Sequence, residues 1–385
     1  MSKPTVAVIF GSRSTEHDVS IVTAIASIIR PLELSGKYSV VPVYIDKKGQ
    51  WFSDPKLKDI SLYTSGSIDT FLDKQKPISL RIGVGMEIVL RNGLKQRSIK
   101  VDIVFPATHG THGEDGELMG MLEMANVAYV GCDLPSSVIS MDKSLAKIIA
   151  QAAGIPTSRF VWFYARDFKT NLELVLEMIK PLKYPLFVKP VHLGSSIAIS
   201  RVNNESDLIN AIEVAAHYDD KVIVEEAVTN LIEVTVPIIG NDDPRPALVE
   251  QPMVKGEDFF DFDSKYMHGG KKGKSAKRGA QGYSKLPAPL PKKLYEKSEQ
   301  TALEVYKAIG CKGIARVDLL IDSKTNKVYF NEVNTLPGSL YAHNFREAGI
   351  SNVKLVEELV NLALERRTGK QKLTTSFSTS YLKQY

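Results

Sequence analysis

Two late segments, GIARVDLLID and KVYFNEVNT, carry the residues with the clearest chemical potential: Arg316 and Asp318 in the first, Glu332 and Asn334 in the second. Side chains two apart on a strand point the same way, so each pair shares a face. If the strands are neighbours, three oxygen ligands and one guanidinium converge. Hard oxygen donors suit Mg²⁺, which takes few protein carboxylates and completes its octahedron with phosphate oxygens and water. A solvated strand face with a structural ion pair fits the same residues.

A second group consists of Lys143 in SMDKSLAK and Lys189 in LFVKPVHLGSS, two ammonium groups able to clamp a polyphosphate. The GSSIAIS segment that follows Lys189 offers hydroxyls and backbone N–H groups of the kind that fold over phosphates. It is not a Walker motif, since no GxxxxGK[ST] occurs. A surface charge is the plainer account of either lysine alone. In VIVEEAV, followed by Glu233, an apolar strand runs into carboxylates. That mixture suits a nucleoside, and acids at a helix start give the same pattern. Two polar loops complete the set. SRSTEHDVS holds Ser14, Glu16, His17, Asp18 and Ser20 beside an expected helix start, where capping is the ordinary role. Glu16 nevertheless sits at a strand's C-terminal edge, where open α/β sheets place ligands. HGTHGEDGE holds His109 and His112, both too isolated from cysteines to suggest zinc.

The elements that must position these residues read as α/β. Thr5–Phe10 is a β-branched run ending at Gly11 and leading into VTAIASIIR; Ser39–Asp46 and Val101–Gly110 offer further strands. SMDKSLAKIIAQAAGI reads as one amphipathic helix, followed by strands FVWF, YPLFVKP and KVIVEEAV and a helix near Glu205–Ala216. EVTVPIIG, a long basic loop, a helix near Leu294–Ile309 and the two late strands follow, and the residues from Gly369 read as a loosely ordered tail. At 385 residues, two or three subdomains are expected. A net charge of +5 falls short of a nucleic-acid footprint, and Cys132 and Cys311 are too few for a disulfide framework, which points to a reducing cytoplasm. The opening reads as a first strand and not a signal peptide, and no stretch has the apolar length to span a bilayer.

Taken in order, FGSRSTEHDVS, HGTHGEDGELMGMLE, YVGCDLPSSVISMDK, VKPVHLGSSI, FDFDSKY, ARVDLL and NEVNTLPG resemble the D-alanine-D-alanine ligases from about Thr5 to Gly338. The resemblance implies an α/β (α+β ATP-grasp) fold in three subdomains. These are an N-terminal Rossmann-like domain (1–131), a central ATP-grasp subdomain (132–230) and a C-terminal one (231–368) with a lid over 254–287, before a polar tail (369–385). It implies ATP held by Lys143 and Lys189 on the phosphates and by Glu225, Val228 and Glu233 around adenosine, with Ser196 and Lys265 as further ATP-binding residues. Two Mg²⁺ (or Mn²⁺) ions would sit on Asp318, Glu332 and Asn334. Two D-alanines would be joined through an acylphosphate for peptidoglycan precursors, with Glu16 on the first ammonium group, Ser195 and Tyr266 closing the site, and Arg316 with the Gly338 N–H on the oxyanion. A cytoplasmic homodimer without nucleic-acid or membrane partners is the family expectation. Two departures stand out: FGS replaces the common FGG, and His343 occupies a position where the family carries a serine for the second substrate. The same chemistry with D-lactate, D-serine or another amino acid as second substrate, and a non-catalytic nucleotide- or anion-binding protein, are the competing readings.

Overall fold

The computed structural model describes residues 3–83, 85–92, 95–194, 197–252 and 284–385. The N-terminal part contains strands β1 (Thr5–Gly11), β2 (Ser39–Ile45), β3 (Trp51–Phe52), β4 (Ser79–Gly83), β5 (Gly85–Asn92), β6 (Lys95–Val101), β7 (Ile103–Pro106) and β8 (Ala128–Tyr129). Five of them form a sheet in the order β3-β2-β1-β7-β8, with β1, β2, β7 and β8 parallel. A parallel strand is covered on both faces, which is why VAVIF is apolar throughout and has no alternation. Val6, Val8 and Phe10 pack with the helical run from His17 to Ser35 and the last helix, Asn352–Gln371; Ala7 and Ile9 pack with helix Glu117–Met124. Gly11 ends β1 with φ +93°, and a Cβ there would lie 2.1 Å from the Ile45 carbonyl oxygen, so only glycine lets the loop bearing Glu16 leave the strand at this angle.

The stretch from Ser79 to Val101, to which sequence pattern assigns nothing, is a three-stranded antiparallel sheet, β4-β5-β6. Its inward residues, among them Met86 and Ile88, join the N-terminal core.

The central part is the antiparallel sheet β11-β10-β12-β9, built from β9 (Phe160–Tyr164), β10 (Leu186–Pro190), β11 (Ser200–Val202) and β12 (Lys221–Glu226). Leu186, Val188, Val222 and Val224 face a core completed by helix Glu205–Tyr218, leaving Lys189 and Glu225 on the opposite face. The segment expected as one helix, Ser140–Ile155, starts in the last turn of helix Leu134–Met141 and continues as a separate helix, Lys143–Ala152. Asp142 breaks it: its backbone is extended, and its carboxylate accepts from the Leu145 N–H at 2.9 Å, capping the second helix.

The C-terminal part has β13 (Leu231–Gly240), β14 (Arg245–Pro246), β15 (Gln251–Pro252), β16 (Ser284–Lys285), β17 (Gly313–Asp322) and β18 (Lys327–Asn334), with the main sheet ordered β14-β13-β17-β18. Helix Lys292–Ile309 covers its apolar face. Along β17 burial alternates strictly, Ala315, Val317, Leu319 and Ile321 inward and Arg316 and Asp318 outward. The expected tail begins later than Gly369, because the last helix runs to Gln371; beyond it the chain is exposed. Among the described residues no helix is long and apolar enough to cross a membrane.

Candidate active site

The two late strands are neighbours, and their register puts Asp318 opposite Glu332 and Arg316 opposite Asn334. A bulge after Asp318 makes this possible. Val328 and Phe330 are inward, and without an extra residue the alternation would turn Glu332 and Asn334 into the core; Asn331 absorbs the slip. Arg316 grips Asp318 with two hydrogen bonds, Nε to Oδ1 at 2.7 Å and Nη2 to Oδ2 at 2.6 Å, and Asn334 Nδ2 donates to Asp318 Oδ2 at 3.1 Å. Like charges placed directly across a strand pair repel. The Asp318–Glu332 pair therefore needs positive charge beside it, and its hard oxygen donors fit a divalent cation such as Mg²⁺.

Cations arrive from the other side. Lys143 opens the helix capped by Asp142, and its Nζ lies 3.7 Å from Glu332 Oε2 while donating to the Leu193 carbonyl at 2.6 Å. Lys189 lies 3.2 Å from Glu225 Oε1. A third lysine, Lys147, escapes sequence reasoning. It is fully buried, with Nζ 3.1 Å from Glu225 Oε2 and in hydrogen-bonding distance of the Phe330 carbonyl at 3.3 Å and Ser158 Oγ at 3.4 Å. It spans the joint between the two sheets, where the Phe330 N–H also donates to the Pro156 carbonyl at 2.8 Å. Burial alone would raise the Glu225 carboxyl, but Lys147 and Lys189 outweigh it and hold the group down at about 2. Glu225 is thus 2 % exposed and turned toward the two lysines, while Val228 and Glu233 are half-buried.

The N-terminal loops close the third side. The SRSTEHDVS loop is held by His17, whose Nδ1 meets the Ser12 carbonyl at 2.6 Å and whose Nε2 meets Tyr44 Oη at 2.9 Å, and by Ser20, which accepts from the Gly11 N–H at 2.7 Å. Asp18 stays on the surface near Lys47. Glu16 is buried, and its carboxylate sits so close to the neighbouring loops that a Cβ added to Gly110 or Gly194 would lie 3.0 or 3.5 Å from Oε2. Glu114 accepts from the Gly110 N–H at 2.8 Å and from the Leu336 N–H at 3.2 Å, tying HGTHGEDGE to NTLPG. Thr23 Oγ1 accepts from the Ser339 N–H at 2.9 Å and meets His109 Nε2 at the same distance.

Beyond Gly338, Ser339, Leu340 and Tyr341 all have φ between 51° and 54°, a left-handed turn that L-residues adopt only under constraint. It lays the Tyr341 ring 5.1 Å from the Arg316 guanidinium, with Oη 3.2 Å from Thr235 Oγ1. His343 follows, its Nε2 2.9 Å from Oε2 of Glu250, a carboxylate 1 % exposed. Ser195, Ser196, Lys265, Tyr266 and the expected closing segment as far as residue 283 lie outside the described residues. The two ends of that segment pair as the short β15–β16 ladder.

Two antiparallel sheets joined at Lys147, with lysines of the central part set against carboxylates on the C-terminal strands, define the ATP-grasp class. Family models agree: "D-ala D-ala ligase N-terminus" matches residues 5–132 and "D-ala D-ala ligase C-terminus" residues 149–361. The chain is 38% identical over 377 residues to a D-alanine–D-alanine ligase of Chloroherpeton thalassium, covering 95% of this chain and 98% of that one. Among solved structures it is similar to the D-alanine-D-alanine ligase of Coxiella burnetii (TM-score 0.78, 28% identity, 97% of each chain). It is also similar to the VanG D-Ala:D-Ser ligase of Enterococcus faecalis (TM-score 0.77, 32% identity, 94% of this chain and 100% of that one). The chain belongs to the D-alanine-D-alanine ligase family.

Proposed function

We propose that this chain is an ADP-forming ligase that joins two D-alanines through an acylphosphate for peptidoglycan precursor synthesis, acting in the cytoplasm as a homodimer. The observation that carries this reading is the cross-strand cluster of Arg316, Asp318, Glu332 and Asn334 with Lys143 beside it. In this reading Asp318, Glu332 and Asn334 would hold two Mg²⁺ ions. A divalent ion bound there neutralises charge on phosphate oxygens. Lys143 and Lys189 hold the phosphates, with Val228 and Glu233 around adenosine. Glu225, placed between Lys147 and Lys189, orients Lys189.

The first D-alanine, its ammonium group on Glu16, attacks the γ-phosphate through its carboxylate and expels ADP. The amine of the second then attacks the acylphosphate carbonyl, and phosphate leaves. Arg316 and the Gly338 N–H stabilise the oxyanion of that step, a contribution on the order of 3 kcal/mol per donor. Purified protein given ATP, Mg²⁺ and D-alanine is expected to release phosphate in step with a product of dipeptide mass. ATP hydrolysis indifferent to D-alanine, or no turnover, would overturn the reading.

One observation favours a different second substrate. His343, anchored on buried Glu250, has its ring 4.7 Å from that of Tyr341, which itself covers Arg316. An imidazole at this place alters the donors offered to the incoming nucleophile. Competition between D-alanine, D-serine and D-lactate at equal concentration, read by product mass, separates the two.

A further inference from the structure

The chain between Lys189 and Gly194 is tied down by His192. Its backbone N–H donates to Asp219 Oδ2 at 2.6 Å, its Nδ1 lies 3.0 Å from Asp219 Oδ1, and its Nε2 lies 3.5 Å from Asp142 Oδ2. Both ring nitrogens face carboxylates. A neutral imidazole has only one N–H, so the imidazolium is the form that can donate to both carboxylates. Charge counting agrees. The carboxylates of Asp142 and Asp219 are 8% and 6% exposed, and Lys221, whose Nζ is 2.7 Å from Asp142 Oδ2, neutralises only one of them. Asp220 stands within 4.8 Å of the His192–Asp219 pair, and Asp115 lines the same cavity of about 270 Å³ as His192 and Asp142.

The two carboxylates belong to different elements. Asp142 caps the helix that begins with Lys143, and Asp219 closes helix Glu205–Tyr218. Lys143 grips the same loop from within, through the carbonyls of Leu193 at 2.6 Å and Val191 at 3.5 Å. We propose that His192 is a positioning residue for the nucleotide: its imidazolium buckles the 191–194 loop to the capped start of the Lys143 helix, so that Lys143 and Lys189 keep one spacing. The inference rests on the ATP reading above. The hydrogen bonds to Asp142 and Asp219 raise His192 to about 9 against the opposing effect of burial, so the buckle holds at neutral pH and releases as pH passes 9.

The test measures kcat and KM for ATP from pH 6.5 to 10 in the unaltered protein, His192→Gln and His192→Arg, with circular dichroism to confirm folding. The unaltered protein is expected to hold a constant KM below about pH 8 and to lose affinity about tenfold on passing 9, the worth of a hydrogen bond to a charged group. H192Q should show the raised KM at every pH with kcat within about twofold, and H192R a low KM without the alkaline rise. A neutral-pH KM unchanged in H192Q, or an alkaline rise retained in either variant, overturns the inference. If H192Q fails to fold, H192R alone decides. Absence of ADP formation by the unaltered protein defeats the ligase reading instead; ATP affinity by calorimetry in the same proteins then decides this one, equal values across pH overturning it.

Discussion

Lys147→Met isolates the contribution of the buried charges beneath the cleft. The substitution keeps the length of the stem and removes the ammonium group, leaving Glu225 at 2 % exposure with Lys189 at 3.2 Å as its remaining cation. Breaking a buried pair by deleting one partner costs about 3 to 5 kcal/mol, because the other charge stays desolvated. Lys189 compensates in part, so the lower end, about 3 kcal/mol, is expected for K147M. The carboxyl gives an independent figure. Held at about 2 against an ordinary 4.5, it contributes on the order of 3 kcal/mol. The sign follows from its depressed value: the contribution is complete above pH 4.5 and is lost as pH falls toward 2. Chemical denaturation at pH 7 and at pH 3.5 checks both statements. K147M should be destabilised at pH 7 by about 3 kcal/mol and differ less from the unaltered protein at pH 3.5. The double variant K147M/E225Q, with no charge left unpaired, should recover most of the loss. Lys189, drawn wholly onto Glu225 in K147M, should also be less available to phosphate and raise KM for ATP severalfold. A K147M cost below about 1 kcal/mol, or a double variant no more stable than the single, would refute the assignment of Glu225 as an ionised, lysine-held group.

Glu332→Gln and Asp318→Asn each remove a hard anionic donor from the cross-strand pair and should lower kcat by roughly a hundredfold or more while the protein stays folded, checked by coupled ADP release and thermal melting. Chelation of divalent ions should abolish ADP formation, and Mg²⁺ or Mn²⁺ should restore it; turnover that survives chelation would remove the metal role from these residues. His343→Ser should shift the product ratio among D-alanine, D-serine and D-lactate by roughly tenfold with less effect on the KM for ATP, as measured by product mass and initial rates. Unchanged product ratios would detach His343 from the second-substrate pocket.

The strands that carry the site were legible because a period of two survives in any window: Arg316 and Asp318 against Val317 and Leu319 announce a half-buried strand without tertiary information. Their pairing was a conjecture from order alone, and the bulge at Asn331 that sets the final register leaves no local trace. The helix break at Asp142 was missed for a related reason. Apolar spacing continues through it, and only the extended backbone at one residue interrupts the run. The β4–β6 sheet was missed because its strands are polar on the exposed side, with Arg81 and Glu87 paired across them at 2.7 Å. Buried charges were the least visible class. Lys147, Glu250 and Asp219 look like surface residues in sequence, and only the fold reveals that each is enclosed with a partner. Cys132 and Cys311, distant in sequence, are both buried as free thiols in one core cluster.

On the proposed reading, the charge pattern of the site would favour joint binding of nucleotide and metal. Each lysine proposed to meet phosphate already has a carboxylate beside it, Lys143 having Glu332 and Lys189 having Glu225, and Arg316 has Asp318. A bare triphosphate would therefore meet three carboxylates close to the three cations, and its repulsion from them cancels most of the attraction. A bare divalent ion meets the reverse, since Arg316 occupies both oxygens of Asp318 and Lys143 stands beside Glu332. Bound jointly, phosphate would draw the lysines and the ion would take the carboxylates of Asp318 and Glu332, so these groups would exchange one opposite charge for another and none would be left buried alone. Glu225 is the exception that fixes the geometry. Lys147, sealed beneath it, would stay its partner throughout, so that the carboxylate would keep its place as Lys189 turned to the nucleotide. A charge that touches no substrate would thus let its neighbour do so.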